Sequence, residues 1–274
     1  MTIKEWRYIC QKKGKGHLDW TERPSRAVSI YFTIIFAKLG ITGNQLSTFN
    51  VLVAISSGVL YSFGVAWWPA ALLLQVLNHV WDACDGELAR YRGSGTLSGL
   101  YLDRLGSWYL YPAILFGLGV GVFRETDLLI AVVLGALGGF AMLQGRLAIS
   151  GPYWCAVDAL LYGKQTGGLD RVIASGVGSS ERDMVKTVVP SGVLSIPYWV
   201  ADLLFSRNIG LDITMLFVVI SGSALGRFEL AIAELIAYGV GGLIAAAAAA
   251  VTVFRTRQAE QSLIRLRQFL EDGE

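Results

Sequence analysis

The stretch Leu39–Trp81, LGITGNQLSTFNVLVAISSGVLYSFGVAWWPAALLLQVLNHVW, contains no aspartate, glutamate, lysine or arginine. A helix needs about 20 mainly apolar residues to cross the hydrocarbon core of a bilayer, so this stretch is long enough for two crossings. Its middle part, Phe63–Pro69, combines glycine, proline and two adjacent tryptophans, which suit a turn at the membrane interface. We predict two membrane-spanning helices joined there.

The composition of the whole chain indicates the same class of protein. Of its 274 residues, 54% are apolar and 16% are charged, and the mean hydropathy is +0.51. A typical soluble domain has roughly 25% charged residues. The formal net charge of +2 is too small to favour nucleic acid, so we expect no nucleic-acid partner. Cys10, Cys84 and Cys155 show no CxxC spacing, so we expect free thiols and no zinc site.

Four further apolar stretches predict four more spanning helices. They are Gly99–Phe123, Leu128–Gln144, Ile209–Gly226 and Leu230–Phe254. The segment Arg26–Lys38 is too short to cross and is basic at both ends, which is typical of an amphipathic helix on the membrane surface. The predicted fold class is therefore all-α: an integral membrane protein with six transmembrane helices and an N-terminal cytoplasmic surface helix.

The positions of the basic residues predict the orientation. Lysine and arginine concentrate before Leu39, at Arg90 and Arg92, through residues 146–207 and after Phe254, which are alternate loops of a six-span chain. Because basic residues favour the cytoplasmic side, we place both termini and the acidic stretch described next in or facing the cytoplasm.

These boundaries divide the chain into three parts. Residues 1–40 form a cytoplasmic N-terminal segment, residues 41–255 form the transmembrane domain with a cytoplasmic insertion at about 151–205, and residues 256–274 form a cytoplasmic tail. Within the insertion, Thr187–Leu204 is apolar enough for a seventh span, but two prolines and an aspartate favour an interfacial or re-entrant helix. A seventh span would move the C-terminus to the other side.

Acidic residues gather where two apolar helices meet, in WDACDGELARYRGSGTLSGLYLDRLGS at Trp81–Ser107. Asp82 and Asp85 are three residues apart and share a helical face, and Asp103 follows near the start of the next helix. Carboxylates at this depth are costly, and their oxygens suit Mg²⁺, Mn²⁺ or Ca²⁺. The alternative is that they pair with nearby arginines in a solvated ionic network.

Seven positions over 22 residues resemble the signature of the CDP-alcohol phosphotransferase family: Asp82-x2-Asp85-Gly86-x2-Ala89-Arg90-x8-Gly99-x3-Asp103. The stretch Thr42–Gln45 is similar to the family's Thr-Pro-Asn element, with Gly43 in place of proline. Ser206–Asn208 resembles a Ser/Thr-Arg-Asp element of some branches, with Asn208 in place of aspartate. The resemblance covers residues 20–150 and 206–255.

The resemblance implies a metal-dependent transfer of a substituted phosphoryl group from a CDP-alcohol, such as CDP-diacylglycerol, to an acceptor alcohol, with release of CMP. It places the reaction in phospholipid or phosphodiester biosynthesis and implies a homodimer in contact with membrane lipids. The metal would be Mg²⁺ or Mn²⁺, held by Asp82, Asp85 and Asp103. The nucleotide-binding residues would be Asn44, Asp82, Gly86, Ala89, Arg90, Thr96 and Gly99.

Two arginines are candidates for binding an alcohol or phosphorylated acceptor. Arg146 ends the fourth predicted span and Arg207 precedes the fifth, and bidentate guanidinium groups suit anionic ligands. Both also fit the plainer interpretation of basic residues that flank a span on the cytoplasmic side. The glycine-rich stretch Gly163–Ser180 lacks a phosphate-binding loop motif, and we interpret it as a flexible loop or a lid.

The chain departs from the family pattern at Ser107. The pattern has a fourth aspartate there, which serves as the base, and a serine hydroxyl is not a general base near neutral pH. A substitute base would resolve this, either His79, which shares a helical face with Asp82, or Tyr109 or Tyr111. A histidine at this place is also explained by helix packing alone.

Ser107 is equally compatible with an unusual acceptor or with a different function. The acceptor could be a phosphate or carboxylate that is already ionised, or the serine could support an ordinary mechanism through water. The chain could also be a catalytically weakened relative that binds a metal-nucleotide as a partner or scaffold. A cation transporter is a third class, which we disfavour because the three aspartates lie near one surface and not at the bilayer midplane.

Overall fold

The computed structural model describes residues 1–11, 23–93, 96–162, 209–255, 257–258 and 261–264. These residues are helical, and no β-strand occurs among them, which confirms the predicted all-α class. The helices are α1 (Ile3–Cys10), α2 (Arg23–Lys38), α3 (Gly43–Ser62), α4 (Trp68–Arg92), α5 (Leu97–Thr126), α6 (Leu129–Tyr162), α7 (Ile209–Leu225), α8 (Glu229–Ile236) and α9 (Gly242–Arg255).

The uncharged stretch forms two helices, as predicted. Helices α3 and α4 are joined by a short 3₁₀ turn at Val65–Trp67. Helix α4 continues past Trp81 to Arg92 and ends at Gly93, whose φ of +61° is a left-handed conformation that glycine adopts without strain. The acidic motif between Asp82 and Arg90 is therefore an extension of the apolar helix.

Two other helices differ from their predicted lengths or forms. Helix α6 continues to Tyr162, well beyond the predicted end at Gln144, because apolar residues resume after Arg146 and sustain the helix through Pro152. The last predicted span is divided, since a π-helical segment at Ala237–Gly241 separates α8 from α9. Single π-helical turns inside helices are a known local distortion.

Three helical stretches are long and apolar enough to cross a membrane. They are Tyr101–Thr126, Leu129–Ala156 and Glu229–Arg255, and Leu211–Leu225 is a shorter apolar helix. Helix α3 carries a row of exposed apolar side chains on one face, as expected for contact with lipid: Phe49, Leu52, Ile55 and Val59. The six-span arrangement stays a prediction, and Thr187–Leu204 and Gly163–Ser180 lie outside the described residues.

The described residues divide into two compact units. The first comprises Met1–Gly139 and Leu211–Gly239, and the second comprises Phe140–Gly210 and Val240–Glu274. Helix α6 contributes to both units. The domain boundaries predicted near residues 40 and 255 follow a different criterion, cytoplasmic against membrane location, and stay a prediction.

In the first unit, glycines allow α3 and α5 to pack at very short distance. A Cβ atom added to Gly58 would collide with the carbonyl group of Ala113, and one added to Gly121 would collide with the carbonyl oxygen of Tyr61. Small residues permit close approach of helices that have no hydrophobic effect to bring them together in lipid. This contact aligns the beginnings of α3 and α5, where the predicted nucleotide-binding residues lie.

Helices α1 and α2 pack against the end of α4. Trp6, Cys10 and Ile30 form a buried apolar cluster, and the Trp6 ring stacks on Tyr91 with centroids 4.3 Å apart. On the outer side of α2, Val28, Tyr31 and Ile35 are exposed. An exposed apolar face fits a helix that lies on a membrane, and the surface location predicted for this segment remains a prediction.

Candidate functional site

The residues of the acidic motif lie on the last turns of α4 and the first turns of α5. Asp82, Asp85 and Arg90 are on α4, and Asp103 is on α5. Thr96 is the N-cap of α5, where its hydroxyl accepts a hydrogen bond from the backbone N–H of Gly99 at 3.0 Å. A capping box between Thr42 and Gln45 fixes the start of α3 in the same way.

Asp85 is the most buried of the three predicted metal ligands. Its side chain is 6% exposed, and Oδ2 accepts a hydrogen bond from the hydroxyl of Ser47 at 2.5 Å. Asp85 lies beyond the predicted span that ends at Trp81. Burial raises the pKa of its carboxyl to about 7, the Ser47 hydrogen bond opposes this rise, and the charge of Asp103 adds to it. The charge of Asp103 thus disfavours the ionised form of Asp85.

Asn44, Thr96 and Gly99 meet where α3 and α5 begin. The side-chain amide of Asn44 donates to the Thr96 hydroxyl at 3.2 Å. A Cβ atom added to Gly99 would lie 2.5 Å from Oδ1 of Asn44, so only glycine fits there without displacing the asparagine. The structure thus brings together three residues that the sequence suggested for nucleotide binding.

Gly86, Ala89 and Arg90 form the α4 side of the motif. The approach of α3 is close here, because a Cβ atom added to Gly43 would lie 2.9 Å from the backbone oxygen of Asp85 and 3.6 Å from Cβ of Ala89. A Cβ atom added to Gly86 would lie 3.3 Å from a terminal guanidinium nitrogen of Arg90. The small residues are therefore explained by packing, and they also leave backbone accessible to a ligand.

The guanidinium group of Arg90 is fixed through its Nε atom by a contact with α1. Its Nε donates a hydrogen bond to the backbone oxygen of Cys10 on α1. Burial, followed by the nearby charge of Arg26, lowers the pKa of the Arg90 guanidinium. A half-buried cation beside a second cation favours an anionic ligand, and the contact of Arg90 with a diphosphate stays a prediction.

The aspartates have the ligand chemistry of a hard-cation site but are not assembled as one. Asp82 and Asp103 are half-buried and Asp85 is buried. Among the described residues, no three histidine, cysteine, aspartate or glutamate side chains lie close enough to hold a metal ion. The metal-ligand set stays a prediction.

Glu87 is an acidic residue of this region whose role the sequence did not suggest. It is fully buried, and its carboxylate accepts hydrogen bonds from Gln11 at 2.9 Å, Ser29 at 2.7 Å and Thr33 at 2.6 Å. These donors lie on or next to α1 and on α2. Glu87 therefore ties both N-terminal helices to the turn of α4 that carries Asp85 and Arg90. No sequence motif marks the three donors.

A second polar cluster lies deeper in the first unit. Nε2 of His79 is 3.0 Å from Oδ1 of Asp212, which also accepts a hydrogen bond from the Gln75 amide at 2.7 Å. The hydroxyl of Tyr111 is 3.3 Å from both Nε2 of His79 and Oδ2 of Asp212. Asp212 was not among the predicted site residues, although an acid inside an apolar helix is a signal of function. Tyr109 is 49% exposed and lies outside this cluster.

Of the four remaining residues singled out in the sequence, only Arg146 is fully described. Ser107 lies within α5, but its side chain is outside the described part of the chain. Arg207 and Asn208 are outside the described residues. Arg146 is 9% exposed on α6 and belongs to the second unit. Its role as an acceptor-binding residue stays a prediction.

Comparison with known proteins identifies relatives of the part that carries the site. Residues 41–164, from the cap of α3 to the end of α6, match the CDP-alcohol phosphatidyltransferase family. An archaetidylinositol phosphate synthase from Pyrococcus horikoshii is 29% identical over 116 residues. The match covers 42% of this chain and 61% of the synthase, so the chain spans less than two thirds of the length of that relative.

Proposed function

Since residues 41–164 belong to the CDP-alcohol phosphatidyltransferase family, we propose that the chain transfers a substituted phosphoryl group from a CDP-alcohol to an acceptor hydroxyl and releases CMP. The family match and the long apolar helices support head-group transfer in phospholipid synthesis at a membrane. The observation that carries the proposal is the buried Asp85, held by Ser47 beside the Asn44–Thr96 contact.

The donor nucleotide binds, in this proposal, where α3, α4 and α5 come together. Asn44, Thr96 and Gly99 supply polar groups and an open backbone on one side, and Arg90 supplies positive charge on the other. Gly86 has no side chain and Ala89 has a small one, so the diphosphate can approach the backbone of α4 closely. In this proposal, Gly86 and Ala89 are small for two reasons, because neighbouring groups lie close to them and because the nucleotide approaches them.

Asp82, Asp85 and Asp103 are the proposed ligands of Mg²⁺ or Mn²⁺. If these side chains held a divalent cation, it would supply charge neutralisation for the pyrophosphate of the donor. Its binding is supported by the carboxyl chemistry of the three side chains and by the repulsion that Asp85 and Asp103 experience without it. Ser47 holds the Asp85 carboxylate in one orientation, as the outer-shell partners of metal ligands do.

We propose a polyol phosphate as the acceptor. The name of the relative, archaetidylinositol phosphate synthase, describes a product that joins a lipid to inositol phosphate. Arg146 and Arg207 are cations that could bind the phosphate of such an acceptor. The proposal also includes the six-span topology, a site at the cytoplasmic face with both termini on that side, and a homodimer.

A second candidate function follows from Ser107. A chain without the usual base could bind the metal-nucleotide and serve as a non-catalytic partner or scaffold. In that case Ser107→Asp would create or greatly raise transfer. In a working enzyme with a different base, the same substitution would leave the rate unchanged or lower it.

The deciding experiment measures CMP release by the purified protein with Mg²⁺ or Mn²⁺. CDP-diacylglycerol and CDP-linked ether lipids are offered with inositol, inositol phosphate and glycerol phosphate, and Asp103→Asn is the blank. Release that needs both an acceptor and Asp103 supports the transferase and identifies its substrates. CMP and metal binding without release from any pair would support the non-catalytic function, and no effect of any cytidine nucleotide on stability would contradict both.

A further inference from the structure

The polar cluster of His79, Asp212, Tyr111 and Gln75 lies directly beneath the acidic motif. His79 precedes Asp82 by three residues on α4, and Tyr111 follows Ser107 by four residues on α5. Residues three or four apart in a helix occupy the same face in adjacent turns. Tyr111 therefore lies one turn beyond Ser107 on α5, and His79 lies one turn before Asp82 on α4.

The contacts of Asp212 determine which nitrogen of His79 can accept a proton. An ionised Asp212 only accepts hydrogen bonds, and Gln75 donates to the same Oδ1 atom that faces Nε2 of His79 at 3.0 Å. Nε2 of His79 therefore carries hydrogen and donates to Asp212, which leaves the basic lone pair on Nδ1. This is the arrangement by which a carboxylate orients a histidine base.

The surroundings of the pair differ from those of a purely structural network. Gln75 and Tyr111 are 1% and 2% exposed and support the pair from the interior. The side chains of His79 and Asp212 are 33% and 29% exposed, so a ligand can reach them. Tyr61 donates to Gln75 at 3.1 Å and completes the buried side of the network. The titratable groups in contact with the imidazole are Asp212 and Tyr111, and Asp82 follows His79 by one turn along α4.

We propose that His79 is the general base of the transfer reaction and that Asp212 is its positioning residue. This inference rests on the function proposed above. The acceptor oxygen bonds to the phosphorus that carries the alcohol, and the bond from this phosphorus to the CMP oxygen breaks. CMP leaves with the bonding electron pair, and the hydroxyl proton moves to Nδ1 of His79. Asp212 stabilises the resulting imidazolium, which then releases the proton to water.

The polar cluster thereby explains how a chain with Ser107 can remain an enzyme. In the usual pattern a carboxylate at this position accepts the proton, whereas here the base is supplied from α4 and oriented by α7. The attacking hydroxyl of the acceptor must accordingly lie next to His79 and not at Ser107. This favours an acceptor whose anionic group is anchored away from its nucleophilic oxygen, such as a polyol phosphate.

The test is steady-state kinetics of CMP release by His79→Gln, Asp212→Asn and the double variant His79→Gln with Ser107→Asp. We expect His79→Gln to lower kcat by about 10² to 10⁴, the usual contribution of a positioned base, with little change in KM. The kcat of the double variant should be at least about tenfold higher than that of His79→Gln, because Ser107→Asp returns a carboxylate to the family position. The rise of kcat/KM with pH that a base produces should disappear in His79→Gln.

Glu234→Gln provides the matched control. Glu234 is also a buried acid of the first unit and accepts a hydrogen bond from Thr214 on α7, so its loss tests the effect of breaking an interhelical contact. We expect it to keep the wild-type pH profile. Stabilisation by CMP with Mn²⁺ shows that each variant is folded.

The outcomes separate this inference from the proposed function. If the wild-type protein releases no CMP, the proposed function fails and the inference fails with it. If the wild-type protein is active and His79→Gln keeps its rate, only the inference fails. It also fails if His79→Gln is inactive, still binds CMP, and gains nothing from Ser107→Asp, since that result describes a structural histidine.

Discussion

At the scale of single residues, Ser47 determines how Asp85 is held. It lies one turn after Asn44 on α3, and its hydroxyl donates to the carboxylate of Asp85 and to the backbone oxygen of Gly43 at 3.1 Å. Burial alone would favour a protonated Asp85, and the hydrogen bond from Ser47 opposes that effect. Ser47 therefore keeps a buried acid in a form that a cation can bind.

We expect Ser47→Ala to weaken Mn²⁺ binding by about 10- to 100-fold, the usual effect of removing a partner of a metal ligand. The measurement is titration calorimetry of the purified protein with Mn²⁺ in the presence of CMP. Ser57→Ala is the matched control, because Ser57 is also buried on α3 but donates to the backbone oxygen of Ala71 at 2.9 Å. Equal affinities for Mn²⁺ in Ser47→Ala and Ser57→Ala would contradict this role of Ser47.

Gly99 supports a second prediction at this scale. A methyl group at this position would come within 2.5 Å of Oδ1 of Asn44, so Gly99→Ala must displace Asn44 from Thr96. We expect the affinity for CMP to fall about tenfold or more, which corresponds to about 1.4 kcal/mol. Gly151→Ala is the control, since nothing lies within 4 Å of the added methyl group. Undiminished CMP binding by Gly99→Ala would place the nucleotide elsewhere.

At the scale of helices, Glu87 connects the N-terminal segment to the candidate site. Besides the cluster around Trp6 and Ile30, helix α2 packs Phe32, Phe36 and Ala37 against a second apolar cluster on α3 and α4. The carboxylate of Glu87 accepts hydrogen bonds from residues in both parts of this segment. A buried carboxylate with three donors is satisfied, whereas an amide in its place presents N–H groups to donors. The docking of both helices therefore depends on the carboxyl group of Glu87 as well as on apolar packing.

We expect Glu87→Gln to lower the stability of this docking by about 1 to 3 kcal/mol, the cost of leaving buried polar groups unsatisfied. Hydrogen exchange followed by mass spectrometry should show faster exchange in α1 and α2 and unchanged exchange in α5. Glu125→Gln is the control, because Glu125 is exposed and accepts one hydrogen bond from the backbone of Val65 at 2.9 Å. Unchanged exchange in α1 and α2 would show that apolar packing alone holds them.

The sequence predicts the positions of the helices better than it predicts the contacts between them. Helices α3 to α7 were predictable because long uncharged stretches and the turn at Phe63–Pro69 follow from local composition. The continuation of α6 to Tyr162 was not, because polar residues such as Gln144 and Arg146 resemble a helix end when their surroundings are unknown. The π-helical segment at Ala237–Gly241 has no composition of its own and depends on packing.

The sequence could suggest candidate site residues where a motif fixes the spacing, as for Asp85 and Gly99, and their roles stay predictions. It could not suggest partners that come from distant parts of the chain, as Asp212 does for His79 across 133 positions. Serine and threonine donors such as Ser47 and Thr33 are too common in helices to be recognised without the contacts they make. Such residues become visible only when the fold brings the helices together.

At the scale of the whole molecule, the number of crossings decides where the two ends of the chain lie. An even number of spans places both termini on one side, and an odd number separates them. The basic residues around Arg90 and after Phe254 favour a common cytoplasmic side. The segment Thr187–Leu204, with Pro190 and Pro197, is the one stretch whose crossing would change this result.

Cysteine labelling of intact cells tests the topology directly. In a background with Cys10, Cys84 and Cys155 replaced by serine, single cysteines are introduced as Thr2→Cys, Asp127→Cys and Gly273→Cys. With six spans and cytoplasmic termini, a membrane-impermeant maleimide should label only Asp127→Cys, in the loop between α5 and α6, until the membrane is opened. Labelling of Gly273→Cys together with Asp127→Cys, with Thr2→Cys protected, would instead require a seventh span at residues 187–204, because the two ends of the chain would then face opposite compartments.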